Sequence, residues 1–150
     1  MDTLAQTTPG RAPCRVAPTA LALLESARHG LVSAAGESSA GGRYVAAHLA
    51  ALRAAAAIVA ARPAPGTGRR RKGPSSVWEL LPRVEPALAE WAAFFAAGAG
   101  KRAAAEAGLP RAVSGREADE LLRDAETFLS LAEEALGVAA QAALPLRSTG

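Results

Sequence analysis

Residues 43–61 read RYVAAHLAALRAAAAIVAA, and the reading of this stretch decides the fold. Val45, Leu49, Leu52, Ala56 and Val59 recur at spacings of four, three, four and three, the period of one helix face. A second stripe, Tyr44, His48, Ala51, Ala55 and Ile58, lies beside the first. With alanine on most remaining positions, a helix from about Arg43 to Arg62 is apolar nearly all round, and such a helix sits at the centre of a bundle. Pro63 and Pro65 stop it. His48, Arg53 and the alanine excess leave Val45 to Ala61 short of a membrane span.

The flanking segments repeat the helical period. Thr19, after Pro18, is placed to cap a helix to about Ala35, with Ala20, Leu23, Leu24, Ala27, Leu31 and Ala34 on one face and His29 expected near its C-terminal end. Gly36 to Gly42 reads as a turn. Ser76 and Glu79 have capping-box spacing ahead of Leu80 and Leu81, as do Ser114 and Glu117 ahead of the last helix. Pro82 and Pro86 are expected to break or restart the first of these. A helix follows from about Glu85, with Leu88, Trp91 and Phe95 on one side, Phe94 adjacent, and a kink at Gly98 and Gly100. Trp78, Trp91, Phe94 and Phe95 are expected in the core. The last helix carries Ala118, Leu121, Leu122, Ala125, Phe128, Leu129, Ala132, Ala135 and Leu136 on one face and acids on the other. No stretch alternates like a strand, and aromatic residues make up only 4% of the chain, which argues against sheets.

The expected fold is therefore all-α: an antiparallel up-and-down bundle of four to five helices, spanning residues 19–143. Residues 1–18 and 144–150 are expected to be disordered tails. Residues 63–75, containing Arg69, Arg70, Arg71 and Lys72, form a basic flexible connection long enough to allow a crossover. A chain of 150 residues suits one domain with one core.

Charge is unevenly placed. Residues 1–72 hold ten Arg and Lys against Asp2, Glu25 and Glu37, whereas residues 117–134 hold seven acids against Arg123 alone. Such asymmetry suits either an anionic partner or mutual neutralisation of helices. Cys14 is the only cysteine and His29 and His48 the only histidines. No intrachain disulfide, multi-cysteine zinc site or His-rich metal site can form, and no metal or cofactor is expected. A lone cysteine and the lack of an apolar N-terminal run fit a cytoplasmic protein. There is no phosphate-binding Gly-rich loop followed by Lys-Ser or Lys-Thr.

One local constellation remains: Arg43, four residues, then His48, at the start of the apolar helix. Residues 43–61, WELL at 78–81, AEWAAFFAAGAGKRAAAEAG at 89–108 and READELLRDAETFLSLAEEAL at 116–136 together resemble an actinobacterial HEPN-type family, over about residues 19–138. The resemblance implies a small helical domain. Many members of that superfamily are metal-independent ribonucleases, often toxins, acting as dimers through an Arg-x4-6-His motif; others are binding modules without it. By resemblance, Arg43 would contact the scissile phosphate and His48 would act as general acid or base on the ribose 2′-hydroxyl.

The residues themselves leave the choice open. Positions five apart on a regular helix lie about 140° apart around the axis. Arg43 and His48 converge only if Arg43 precedes the regular helix, which Gly41-Gly42 allows, or if two protomers share the site. The reading of His48 that the residues favour is a core-edge histidine bonded to a neighbouring backbone or carboxylate, ahead of the catalytic one. Arg69–Lys72 is either a solvated loop or a contact for a phosphate backbone. The leading expectation is a non-catalytic module that binds RNA, a nucleotide or a protein partner, as a homodimer and without a membrane. The competing expectations are a metal-independent endoribonuclease using Arg43 and His48, and a structural adaptor.

Overall fold

The computed structural model describes residues 16–62 and 76–138. The segments 1–15, 63–75 and 139–150 lie outside the described residues, and with them the tail assignments, Cys14 and the Arg69–Lys72 run. The described residues form helices α1 (Pro18–Gly36), α2 (Ala40–Ala61), α3 (Val77–Val84), α4 (Ala89–Ala97), α5 (Ala99–Glu106) and α6 (Gly115–Leu136), with a 3-10 turn at Pro86–Leu88 ahead of α4. Helices α4 and α5 are one rod bent at Gly98, so the bundle has five rods, and no strand occurs among the described residues.

Two of the helix ends follow from local chemistry the sequence advertises. Both capping boxes form. The Glu79 N–H donates to Ser76 Oγ at 3.2 Å and the Ser76 N–H to Glu79 Oε1 at 3.3 Å. At α6 the Glu117 N–H reaches Ser114 Oγ at 3.0 Å and the Ser114 N–H reaches Glu117 Oε1 at 2.9 Å. These bonds occupy amide donors that a helix start leaves without intrahelical acceptors. Helix α6 closes on Gly137 at φ 73°, with Val138 N–H bonded to Glu133 O at 2.9 Å and Gly137 N–H to Glu134 O at 3.0 Å. Glycine adopts that left-handed geometry without a Cβ penalty.

Other ends differ from expectation. Thr19 is not a cap: Ala17 precedes the helix and Pro18 is its first residue, where a missing N–H costs nothing. Pro18 thus belongs to the fold and not to a tail. His29 is mid-helix and exposed, not at a C-terminus. Pro82 lies inside α3 without ending it. Helix α2 starts three residues early, capped by Ser39, whose Oγ accepts the Gly42 N–H at 3.0 Å. Gly41 and Gly42 are its first turn. A Cβ on Gly42 would fall 2.5 Å from Glu37 Oε1 and 2.9 Å from Ser39 Oγ, so only glycine lets both side chains fold over the helix start. At its full length α2 does meet the length and composition of a membrane span, with a mean hydropathy of 1.6; here it packs against α1, α3, α5 and α6 as the central rod.

Helix directions can be read from contacts. α1 returns into α2 through a short turn, antiparallel. Arg43, near the start of α2, pairs with Asp119 near the start of α6, and Arg62, beyond the end of α2, donates to Ala135 O near the end of α6. α2 and α6 therefore run in the same sense. Arg62 also pairs with Glu85 ahead of α4, while Gly98 at the far end of α4 lies against Tyr44, so α4 is antiparallel to both.

Of the two stripes read on α2, the second is the one that is buried. Tyr44, Ala47, His48, Ala50, Ala51, Ala54, Ala55, Ala57 and Ile58 are buried, whereas Val45, Leu49, Leu52 and Val59 are only partly so. Alanine lets α1 and α6 approach the backbone of α2 closely, and the bulkier stripe falls at the edges of those contacts. Volume comes instead from a ring cluster. Phe95 and Phe128, both fully buried, lie 5.2 Å apart between centroids, and Trp78 stacks on Phe95 at 5.3 Å. Phe94 departs from expectation: it is 46% exposed.

Truncating Phe128 to Ala should lower stability by about 3–5 kcal/mol, measured by denaturant unfolding. The same assay on exposed Val32→Ala should move it by no more than about 0.5 kcal/mol.

Candidate functional site

His48 is 1% exposed, the only buried polar residue among those described. Its Nε2 lies 2.8 Å from the Phe95 carbonyl oxygen. A carbonyl only accepts, so Nε2 carries the proton and Nδ1 the lone pair. The carbonyl is available because the helix breaks there. Gly98 turns its N–H back to Phe95 O at 3.0 Å, three residues away, and the regular four-residue pattern restarts only with Arg102 N–H to Gly98 O. His48 is thus a side-chain cap for the end of α4. Tyr44 stacks on it one turn earlier, with ring centroids 6.3 Å apart, and Trp78 and Phe95 meet it edge-on at 6.2 and 6.0 Å.

Gly98 is required for this arrangement. A Cβ there would lie 2.7 Å from the Tyr44 hydroxyl oxygen and 3.5 Å from His48 Cδ2. The chain bends over these two rings, and α5 then crosses the start of α2, where Ala105 approaches Gly41.

Burial holds the His48 imidazolium pKa below its ordinary 6.5, the Phe95 carbonyl opposes that shift, the Arg102 charge adds to it and Glu106 opposes. Arg102 is the cation that acts on His48, yet sequence spacing gave no hint of it, because the bend at Gly98 brings it there. His48 Nδ1 and Arg102 Nε are both buried without a hydrogen-bond partner among the described residues.

Arg43 is engaged elsewhere. Its guanidinium pairs with Asp119 at 3.1 Å and donates to Glu37 O at 3.3 Å. Because Gly41-Gly42 are helical, Arg43 sits on the regular helix, and the roughly 140° between it and His48 stands. The structure sends the two side chains of the Arg-x4-His spacing to different neighbours: Arg43 to the start of α6, His48 to the bend of α4. Among the described residues no group of three His, Cys, Asp or Glu side chains gathers to hold a metal.

The acids of α6 are partly answered from within the chain. Asp119 pairs with Arg43, Glu133 with Arg28 at 2.6 Å, and Glu117 with Lys101 at 2.5 Å. The hydrogen bond to Glu117 raises the Lys101 pKa, and the one from Lys101 lowers that of Glu117. Glu120 meets only Arg116, at 3.9 Å on exposed surface.

An accessible concavity lies on the far side of the ring cluster. α4 packs its backbone on α3 and α6 packs on α2 and α1, with few close backbone approaches between α4 and α6. The rings of Trp91 and Phe128, 5.8 Å apart, and of Phe95 span the gap. Over them opens a cavity of about 320 Å³ lined by Glu90, Trp91, Phe94 and Asp124. It continues into a shallower one of about 170 Å³ that shares Phe94 and Asp124 and reaches Glu120, Lys101 and Tyr44. Burial raises the Asp124 pKa, Glu120 adds to the rise and Arg123 opposes it. Burial likewise raises that of Tyr44. Sequence reasoning missed this groove because it placed Phe94 in the core.

Two outcomes follow. The unfolded chain binds a proton at His48 near pH 6.5 and the folded chain only at lower pH. Between those values the unfolded state holds more protons, so stability rises with pH up to about 6.5 and this group adds no slope above it. His48→Gln, whose amide can still donate to Phe95 O, should flatten that acid-side slope in unfolding curves taken across pH. Gly98→Ala should cost about 1–2 kcal/mol, the strain of overpacking less the helix-propensity gain, and Tyr44→Phe in the same chain should recover part of the loss.

Comparison with known proteins returns one family. No curated protein and no solved structure matches. The model of the HEPN_SAV_6107-like HEPN family matches residues 34–133, from the last turn of α1 to the last turns of α6. That match takes in the central helix, the bent α4–α5 rod and the capped last helix, and the chain belongs to this HEPN family.

Proposed function

We propose that this HEPN domain works by binding a protein partner and not by cleaving RNA. The observation that carries the reading is the commitment of His48 to the fold. A general acid or base must reach its substrate's proton within hydrogen-bond range and titrate near the working pH. His48 is closed off from solvent, bonded to the Phe95 carbonyl and held below its ordinary pKa by burial. Arg43, which would have to steady a phosphate, is held by Asp119 and the Glu37 carbonyl. The ribonuclease alternative would need His48 to give up its buried bond to the Phe95 carbonyl and to leave the rings of Tyr44, Trp78 and Phe95 packed around it.

A protein is favoured over RNA or a nucleotide at the open groove between α4 and α6 because of its charge. Glu90, Glu120 and Asp124 line it, and they repel phosphate. Lys101, the cation along it, is already paired with Glu117. An aromatic floor with a polar rim is the anatomy of a protein-binding patch. The Arg69–Lys72 run, outside the described residues, stays a possible phosphate contact only as a separate element. The proposed setting is the cytoplasm.

The purified chain, incubated in EDTA with a panel of structured and single-stranded RNAs, should leave all of them intact. Cleavage that disappears in Arg43→Ala, a surface change that spares the core, would sink the proposal.

A further inference from the structure

We propose that the groove between α4 and α6 takes an arginine side chain from a basic segment of a protein partner, with the side chain laid along Phe94 and Trp91 and its guanidinium set between Glu90 and Asp124. The inference deepens the binding reading above and rests on it.

Three features of the groove converge on that chemistry. The first is shape. A cavity of about 320 Å³ is at the lower end of ligand-sized pockets, about 300–1,000 Å³, and suits one long side chain with its flanking backbone better than a packed helix. The second is the walls. Trp91 and Phe94 meet edge to face, with ring centroids 6.1 Å apart and planes at 86°. Phe94 is 46% exposed, although a large aromatic on a small bundle gains most by being buried. The exposed Phe94 ring offers a cationic side chain a face to stack on. Guanidinium is flat and weakly hydrated, so it stacks on such a face better than an ammonium does.

The third is charge. Glu90 and Asp124 line the cavity, and Glu120 follows in its continuation. Among the described residues neither Glu90 nor Asp124 forms an ion pair, in contrast to Glu117, Asp119 and Glu133 on α6. Burial already raises the Asp124 pKa, and Glu120 adds to the rise; a cation placed there would relieve both effects. A neutral apolar occupant would bury these carboxylates uncompensated, and a phosphate would oppose them. An arginine satisfies the rings and the acids together, with two parallel N–H donors for one carboxylate.

The test uses the full chain and two capped tripeptides, acetyl-Leu-Arg-Leu-amide and the same peptide with citrulline in place of arginine. Citrulline keeps the shape and removes the charge. Titrated into the labelled protein by NMR, the arginine peptide should shift the Trp91 indole and the Phe94 and Asp124 amides saturably. The citrulline peptide should bind roughly fivefold or more weakly, and added salt should weaken the arginine peptide alone. Asp124→Asn and Phe94→Ala, both on accessible surface, should each reduce its affinity by a similar factor while the His48 and Trp78 resonances stay in place. Equal binding of both peptides, no saturable shift, or displacement of the arginine peptide by a short oligouridylate at the same residues would each overturn the arginine site. A groove that refuses arginine leaves the uncut RNA panel unaffected, so this failure and that of the binding reading are told apart.

Discussion

The architecture turns on one hydrogen bond, from His48 Nε2 to the carbonyl of Phe95. A helix that stops inside a core turns its last carbonyls away from the regular ladder. At the bend the Phe95 carbonyl takes two donors, the Gly98 N–H at 3.0 Å and the imidazole at 2.8 Å, and the second ties the bend to α2. Once the bend is satisfied, α5 is free to leave the line of α4 and cross the start of α2, carrying Lys101 to Glu117 and Arg102 toward His48. Gly98 permits the bend sterically and His48 permits it electrostatically. The rings of Trp78, Phe95 and Phe128 then fill the space that the alanines of helix α2 cannot.

The pitch of α4 divides two neighbouring phenylalanines. Phe95 turns inward to join Phe128 and Trp78, while Phe94, one residue earlier and about 100° around the helix, is left facing the seam between α4 and α6. The core and the groove are therefore two sides of one packing decision, and the groove's aromatic wall is set by the placement of the core ring beside it.

Much of this order was legible in the sequence, and for identifiable reasons. The Ser76/Glu79 and Ser114/Glu117 boxes are local chemistry, readable from four residues, and both formed. The apolar faces of α1 and α6 are clean periodic stripes, and the all-α class follows from them. The α2 face was not legible in the same way. Periodicity showed two stripes without ranking them; the one with Tyr44, His48, Ala51, Ala55 and Ile58 is buried and Val45, Leu49, Leu52 and Val59 are only partly so, because close helix approach favours the alanines and periodicity alone carries no information about distance. Arg102 was invisible as a neighbour of His48 because the contact depends on a bend between residues far apart in the chain. Gly98 signalled a kink but not its direction.

Charge supplies the last step. The N-terminal half is rich in arginine and α6 in acids, a pattern that alone suits either an external anion or internal pairing. Arg28, Arg43 and Lys101 all reach acids of α6, so much of the asymmetry is answered inside the fold, and exposed pairs of this kind add little stability each. The rotation of α6 about its own axis is set by its buried face of Leu121, Ala125, Phe128 and Leu129. With that face inward, Asp119 and Glu133 meet Arg43 and Arg28, while Asp124 lies at the opposite seam, beside Glu90 and the exposed rings. The packing of the core thus decides which acids find partners within the chain and which remain to face another molecule.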